Sequence, residues 1–398
     1  MLSELRVVLA NSMCYLLLGS VFASTQAARL AIGESLSVEK FHVILGSAIQ
    51  LSAYSLGGVL AQFQSWKTIR EEFVAGFALF GLGGLSASGL VLRAGILPWW
   101  VFGFFYSICG GLGHAFLGEA MGKVSAALKV ASPGKLGVFA NSAISVFPMF
   151  FFGVGGFLFS RIIVPSFHSV LELSDGMIWG GITFFIFGLV LVGCLIPTDL
   201  SEGIVSKALP ISFRDDHSSW IFFLFVGSFA SLLPILAGLR SSNVAVGFVF
   251  NGLGRCFSKL IAEVFGFRTA ASVFGVLASS ALLSLINGIH SEANLYYVTV
   301  FTLGGCIALV GSAKYPKRAS VVYGISLFFG TNWGAVLLIN RFGLIEVGQA
   351  ISACLLCSAV IIYGSSYFSK DEKKVPAIEL EKKVVRTRSK SVKRSAKK

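Results

Sequence analysis

Charged residues are scarce in this chain. Asp, Glu, Lys and Arg make up 13% of its 398 residues, whereas hydrophobic residues make up 55%. A soluble domain carries about 25% charged residues, so the composition excludes an ordinary water-soluble fold and indicates a membrane protein. The apolar runs also lack the polar–apolar alternation of strands, which excludes a membrane barrel.

Residues with metal or catalytic chemistry are few as well. There are five histidines, and all seven cysteines fall inside apolar segments, which argues against a disulfide framework. Cys354 and Cys357 have the spacing of a redox or metal pair, but no His or Asp lies near them, so we interpret them as packing residues. No phosphate loop, zinc spacing or Ser-His-Asp arrangement is found. We predict that the chain is not an enzyme and uses no cofactor or metal.

The chain does contain apolar segments of about 20 residues, the length that crosses a bilayer. They predict an all-α membrane protein with twelve transmembrane helices in two six-helix halves, a layout typical of transporters. We assign residues 1–196 to the N-terminal half, 197–217 to a cytosolic linker, 218–368 to the C-terminal half and 369–398 to a basic, disordered cytosolic tail. The predicted segments are Leu5–Gln26, Phe41–Phe63, Phe73–Leu92, Pro98–Ala120, Leu136–Phe159, Met177–Ile196, Ser219–Leu239, Asn243–Ala262, Thr269–Ile289, Leu295–Ala313, Ser320–Asn340 and Glu346–Phe368.

The distribution of basic residues predicts the orientation. With the N-terminus in the cytosol, twelve Lys and Arg residues before the tail lie on the inner side and six on the outer side. The positive-inside rule therefore places both termini in the cytosol. From Ser369 onward, twelve basic residues oppose four acidic ones, which accounts for +8 of the net charge of +13. We interpret the tail as a solvated segment that fixes topology, with attraction to anionic lipids as the alternative, and expect no nucleic-acid partner.

The eighth segment carries charges that need a reason inside a membrane. Asn251, Arg255 and Lys259 stand four residues apart on one helical face, and Glu263 follows one turn later. Arg255 falls near mid-membrane, and its planar fork of donors suits a carboxylate. We expect it to bind an anion, or alternatively to form a structural ion pair with Glu119. Lys259 is expected to be neutralised by Glu263.

The fourth segment carries His114, Glu119 and Lys123. Glu119 and Lys123 have the i,i+4 spacing of a helical ion pair, and we expect them to satisfy each other. In a proton-coupled carrier, Glu119 or His114 could instead bind the proton. The glycines at 110, 111 and 113, together with the Gly118–Gly122 pattern, predict close helix packing.

Two further residues leave alternatives open. Asn332, near the middle of the eleventh segment, could hydrogen-bond a substrate or a neighbouring helix. Arg29 lies near the outer end of the first segment, where it could extend to the membrane interface or bind substrate.

These motifs resemble the major facilitator superfamily. Its signature, Gly-x-Leu-Ala-Asp-Arg-x-Gly-Arg-Arg, lies between helices 2 and 3 and again between helices 8 and 9. Leu260-Ile-Ala-Glu263-Val-Phe-Gly266-Phe-Arg268 matches the second copy with Glu in place of Asp. Gly58-Val-Leu-Ala-Gln62-Phe-Gln-Ser65-Trp-Lys67 departs from the first at the acid and the second glycine. The resemblance implies transport by alternating access, with Glu263 and Arg268 in a cytosolic gate.

A narrower resemblance is to the oxalate/formate antiporter, monocarboxylate porter and nodulin-like branch. It rests on Asn251-Gly-Leu-Gly-Arg255, on Phe329-Gly-Thr-Asn332-Trp-Gly334 and on Gly111-Leu-Gly113 followed by Ser132-Pro-Gly-Lys135. This branch implies a secondary active symporter or antiporter for a small monocarboxylate-like anion. Arg255 would be the counter-ion, and the other substrate contacts would be Asn251, Asn332, His114 and Arg29.

We therefore predict a monomeric carrier of a small organic anion, with protons as a further partner if transport is coupled to them. The alternatives are a carrier of a neutral metabolite, amino acid or sugar, and a non-transporting membrane sensor or scaffold. A sensor that signals through its tail would lose function when the residues after Ser369 are deleted, whereas a carrier would largely keep it.

Overall fold

The computed structural model describes residues 6–20, 40–63, 68–95, 99–131, 138–163, 169–196, 216–232, 236, 244–288, 292–312, 325–326 and 335–364. No strand occurs among these residues, which confirms the predicted all-α class. In chain order the helices are α1 (Arg6–Ser20), α2 (Lys40–Phe63), α3 (Ile69–Arg93), α4 (Trp99–Gly103, Phe104–Cys109 and Gly110–Ala131 in succession), α5 (Val138–Leu158 and Phe159–Ile163), α6 (Val170–Leu195), α7 (Asp216–Ala230), α8 (Val244–Phe265), α9 (Phe267–Ile286), α10 (Glu292–Ser312), α11 (Ala335–Phe342) and α12 (Leu344–Gly364).

Five stretches of the described chain are long and apolar enough to cross a membrane. They lie in α3, α4, α6, α9 and α12, at Ile69–Arg93, Val101–Val124, Leu171–Cys194, Phe267–Ile286 and Leu344–Gly364. Large apolar side chains also face outward from the bundle, as Trp179 does with 66% of its surface exposed. Such a surface suits lipid hydrocarbon better than water.

Two helix starts follow from the local sequence. In Thr68-Ile-Arg-Glu71, the Thr68 hydroxyl accepts a hydrogen bond from the Glu71 backbone N–H at 3.3 Å, where α3 begins. In Ser169-Val-Leu-Glu172, the Ser169 hydroxyl accepts from the Glu172 N–H at 3.2 Å, where α6 begins. Each side chain satisfies a backbone donor that has no partner within its own helix, so both turns are fixed by sequence over four residues.

The described core forms two clusters of buried apolar side chains. The first joins α1, α3, α4, α5 and α6, and also receives Phe248 of α8 and Ala308 of α10. The second joins α7, α9, α10 and α12 around Phe225, Phe229 and Phe274. The clusters match two groups of helices, while the borders of the halves at residues 196 and 218 stay predictions.

An arginine at the second position of a helix makes the same contact in both groups. Arg70 of α3 donates from Nε to the Ile196 carbonyl at 2.8 Å, just past the end of α6. Arg268 of α9 donates to the Tyr363 carbonyl near the end of α12. The last carbonyls of a helix have no partner within that helix, so both arginines satisfy acceptors that would otherwise be unmet.

Serine hydroxyls also join α3 to α6 and α9 to α12. Ser86 of α3 donates to the Ile178 carbonyl of α6 at 2.9 Å, and Ser272 of α9 donates to the Ala359 carbonyl of α12 at 2.9 Å. Ser279 and Ser352 add a reciprocal pair, in which each hydroxyl donates to the other residue's carbonyl at 2.8 and 2.7 Å. Hydrogen bonds between small residues let membrane helices approach closely, so α3 packs closely on α6 and α9 on α12.

Candidate functional site

The charged face of α8 lies at mid-depth in the helix bundle. Arg255 comes eleven residues after the start of the 22-residue helix, which is about 17 Å along its axis at about 1.5 Å per residue. Its side chain is partly exposed within the bundle, and an unpaired charge at that depth in a membrane would be costly. The Arg255 guanidinium must therefore be held by groups of the protein or by a ligand.

Two neighbours hold this arginine. Its Nε donates to the Asn251 Oδ1 at 2.8 Å, across one helical turn. Its guanidinium carbon lies 4.1 Å from the centre of the Phe152 ring of α5, within the range of a cation–π contact. Asn251 is 8% exposed and donates from Nδ2 to the Val300 carbonyl of α10 at 3.3 Å. Asn251 thus links α8 to α10 and orients Arg255.

The N-terminal group of helices contributes an aromatic wall to the same place. The His114 ring of α4 lies 6.5 Å from the Phe152 ring and nearly parallel to it, with an interplanar angle of 25°. Tyr54 of α2 packs against His114 with ring centres 4.8 Å apart, and Phe80 of α3 lies 6.4 Å away. Tyr15 of α1 and His114 are both within electrostatic range of Arg255. Side chains of six helices therefore converge on one region.

Glycines allow α8 to lie between α5 and α10. A Cβ placed on Gly254 would lie 1.9 Å from the Phe301 carbonyl oxygen of α10, and one on Gly304 would lie 2.3 Å from the Asn251 carbonyl oxygen. On the opposite side, a Cβ on Gly153 of α5 would lie 2.4 Å from the Phe248 carbonyl oxygen. The position of Arg255 therefore depends on backbone contacts that only glycine permits.

This packing makes a testable prediction. Gly304→Ala is expected to lower the free energy of unfolding by about 1–3 kcal/mol, because the added methyl group forces α10 away from Asn251. Thermal unfolding of the purified protein in detergent would measure the loss. Gly180→Ala is the matched control, since Gly180 lies in α6 with nothing within 4 Å of an added Cβ. Equal melting temperatures for the two variants would contradict the packing argument.

The structure brings together three of the residues predicted to bind substrate, namely Arg255, Asn251 and His114. Arg29 and Asn332 lie outside the described residues, and so does the side chain of Glu263. Lys259 is partly buried on α8 and lies within electrostatic range of Cys256. The neutralisation of Lys259 by Glu263 stays a prediction.

The prediction that Lys123 pairs with Glu119 is wrong. Lys123 Nζ instead lies 2.7 Å from Oε2 of Glu72 on α3, and Glu72 is fully buried. Glu119 keeps partial exposure, so its charge is already solvated in part. A fully buried carboxylate has more to gain from the ammonium group, and Glu72 therefore takes it. In the part of the chain that the structure describes, no ion pair joins Glu119 to Arg255 either.

The second signature copy has a clear structural basis. Gly266 adopts a φ of 89° and is the single residue between the end of α8 and the start of α9. That backbone conformation favours glycine, which explains the residue type at this reversal. Arg268 follows on the first turn of α9 and reaches α12, so the contact observed for it lies within the C-terminal group of helices. A gating role for Arg268 stays a prediction.

The prediction that glycines of α4 allow close helix packing is confirmed for Gly111 and Gly113 but not for Gly122. A Cβ on Gly111 would lie 2.3 Å from the Gln50 carbonyl oxygen of α2, and one on Gly113 would lie 2.5 Å from the Phe80 nitrogen of α3. Nothing in the described part of the chain lies within 4 Å of a Cβ on Gly122. The close contact is therefore made half-way along α4, beside His114.

Three residues of the site, Phe152, Tyr15 and Tyr54, have little sequence signal, and so has Glu72, the partner of Lys123. Phe152 is one of 37 phenylalanines, and Tyr15 and Tyr54 are two of nine tyrosines, so residue type does not single them out. Glu72 lies among charges at the start of α3, a pattern typical of a solvated helix end. The sequence clue to the burial of Glu72 is the long apolar run that follows it directly, because burial of that run also buries the first turn of α3.

A separate apolar groove of about 430 Å³ lies between α7, α11 and α12. Gly227, Ser228, Leu338 and Ile351 are among the residues that line it. It does not include Arg255 or the aromatic wall.

An all-α bundle of twelve membrane helices in two six-helix halves is the major facilitator fold, and solved structures of such transporters align with this chain over nine-tenths of its length, which confirms the predicted fold.

Three of these structures are similar to the chain at 14% sequence identity. The human organic anion transporter MFSD10 (TETRAN) aligns over 90% of this chain and 99% of its own, with a TM-score of 0.60. The xylose transporter XylE from E. coli, in a partially occluded inward-open conformation, aligns over 91% and 99% with a TM-score of 0.62. The proton:xylose symporter XylE bound to 6-bromo-6-deoxy-D-glucose aligns over 90% and 95% with a TM-score of 0.61. No protein-family model and no curated protein sequence matches the chain.

Proposed function

We propose that the chain is a secondary active transporter that moves a small organic anion across a membrane by alternating access. The observation that carries this proposal is the position of Arg255, at mid-depth between the two groups of helices. Transporters of this architecture bind substrate near the bilayer midplane, where their halves meet. Two six-helix halves that rock about that point would expose Arg255 to each side in turn.

The chemistry of the arginine supports an anion as substrate. A guanidinium group stays protonated and offers paired N–H donors that match a carboxylate. Nε is oriented by Asn251 and one face rests on Phe152, so the group is held in one plane. A planar group held in advance loses less entropy when it binds. One central arginine favours a monocarboxylate, and the similar fold of an organic anion transporter is consistent with this class.

A neutral sugar is the second candidate substrate. The aromatic wall formed by Tyr54, Phe80, His114 and Phe152 offers ring faces that could pack against a pyranose. The similar fold of a proton:xylose symporter is consistent with this class as well. In that case the Arg255–Asn251 pair would be structural.

Uptake by the purified protein in liposomes distinguishes the two candidates. We expect saturable uptake of labelled lactate or pyruvate, competed by other small monocarboxylates and not by xylose or glucose. Protein-free liposomes are the control for leakage. Competition by sugars alone would favour the second candidate, and no saturable uptake of either class would contradict the transporter proposal for both.

The remaining assignments belong to the same proposal. Arg29 and Asn332 would complete the substrate site, and Glu263 with Arg268 would form the cytosolic gate. Both termini would face the cytosol, the basic tail beside the inner leaflet. A tail deletion after Ser369 should leave uptake largely intact.

A further inference from the structure

Glu72 is a fully buried acid at the start of α3, with none of its surface exposed. The mechanism proposed above makes no use of it. Burial of an ionised carboxylate is costly unless both of its oxygens find donors. Among the described residues, only one oxygen of Glu72 has a donor.

Lys123 of α4 is the partner of that one oxygen. Its ammonium lies 2.7 Å from the Glu72 Oε2, and its side chain is 16% exposed. The other oxygen, Oε1, is buried and has no hydrogen-bond partner among the described residues. A carboxyl group that takes up a proton on such an oxygen loses the charge that made its burial costly.

The charge balance of the cluster also favours an added proton. Glu119, one turn before Lys123 on α4, lies within electrostatic range of Glu72. Among the described residues, Lys123 is the only ion-pair partner of Glu72, and Glu119 adds a second negative charge near it. Two acids that share a site do not readily stay ionised together.

Two other basic side chains described at this end of the bundle, Arg70 and Arg6, donate to backbone carbonyls. Arg70 donates to the carbonyls of Ile196 and Gly193 at the end of α6, and Arg6 of α1 donates to the carbonyl of Cys194. Glu71 is exposed on the outer side of α3, and the Cys194 side chain is exposed on α6. Lys67 lies outside the described residues.

We propose that Glu72, with Lys123 and Glu119, forms a proton-binding site that couples transport to a proton gradient. The coupling role rests on the proposed transport function, whereas proton binding itself does not. The two helices joined by this ion pair also carry the central aromatic wall, with Phe80 on α3 and His114 on α4. Lys123 lies nine residues after His114, about 14 Å along α4. Protonation of Glu72 would weaken the α3–α4 contact and so change the packing of that wall.

Infrared difference spectroscopy of the purified protein tests proton binding without any substrate. On stepping the pH down from about 8 to about 5, the wild-type protein should gain the C=O band of a buried protonated carboxyl group. Glu72→Gln should lack that band, and Glu71→Gln, an exposed neighbour on the same turn, should keep it. A band of unchanged size in Glu72→Gln would overturn the site. If Glu72→Gln does not fold, Glu72→Asp provides the test and should keep a band at a shifted position.

Transport by the same proteins in liposomes tests the coupling. An inward proton gradient should drive lactate accumulation at least about tenfold less well in Glu72→Gln than in wild type, while lactate exchange without a gradient persists, because exchange needs no net proton movement. Equal gradient-driven accumulation in both proteins would overturn the coupling role. Absence of lactate transport in the wild type would contradict the proposed function, and the infrared result would still decide whether Glu72 binds a proton.

Discussion

Replacement of Arg255 by alanine is expected to lower the uptake of a small monocarboxylate by at least about 100-fold. Loss of one partner from a buried, charge-assisted contact costs about 2–5 kcal/mol, and each 1.4 kcal/mol is a factor of about ten in affinity. The substrate carboxylate would then lie at mid-membrane without a counter-charge. Initial uptake rates in liposomes, together with the substrate-induced shift in melting temperature, would measure the loss.

Two variants sharpen this result. Arg255→Lys keeps the charge but loses the planar fork and the contact with Phe152, so we expect an intermediate loss of about tenfold. Arg341→Ala is the matched control, because its guanidinium also lies over an aromatic ring, 5.6 Å from the centre of Phe342, but at the exposed end of α11. Normal monocarboxylate uptake by Arg255→Ala would remove Arg255 from the mechanism.

The pair Asn251 and Arg255 could be predicted from the sequence because it depends on one helix. Residues four apart on a helix face the same way wherever the helix packs, and the hydrogen bond between them crosses a single turn. The turn at Gly266 is similarly local, since the backbone conformation of one residue restricts the residue type. Features of this kind need no knowledge of the neighbouring helices.

The partners from other helices could not be predicted in the same way. Lys123 and Glu72 are separated by 51 residues, and the sequence offered Glu119 as a nearer acid. The choice depends on which carboxylate loses its water, and burial is a property of the assembled bundle. Phe152 is likewise selected over its neighbours Phe150 and Phe151 by the direction in which α5 faces α8.

The two groups of helices share an arginine contact that does not depend on the first signature copy. Arg70 and Arg268 occupy the same helical position and satisfy the last carbonyls of α6 and α12. Their contact is to backbone, so it places little restriction on the residues around them. Arg70 lies three residues beyond Lys67, the last residue of the first copy, so its contact does not depend on the acid or the glycine that the first copy lacks at Gln62 and Ser65.

Lys123→Leu is expected to destabilise the protein by about 3–5 kcal/mol, because removal of one partner of a buried ion pair leaves the other charge uncompensated. Glu72 is fully buried, so water cannot replace the ammonium group. Chemical denaturation in detergent micelles, followed by the loss of helical circular dichroism, would measure the change.

The double variant Glu72→Leu with Lys123→Leu decides whether the loss comes from the unpaired charge or from the removed lysine. Replacement of a buried ion pair by apolar residues of similar volume is often neutral or stabilising by about 1–4 kcal/mol, so the double variant should regain most of the stability. The stability lost in Lys123→Leu should also become smaller as the pH falls from about 8 to about 5, because protonation of Glu72 removes the buried charge. Lowering the pH stabilises a protein wherever its folded state binds more protons than its unfolded state. A loss that is independent of pH, or a double variant no more stable than the single one, would show that Lys123 acts through packing of its aliphatic stem and not through Glu72.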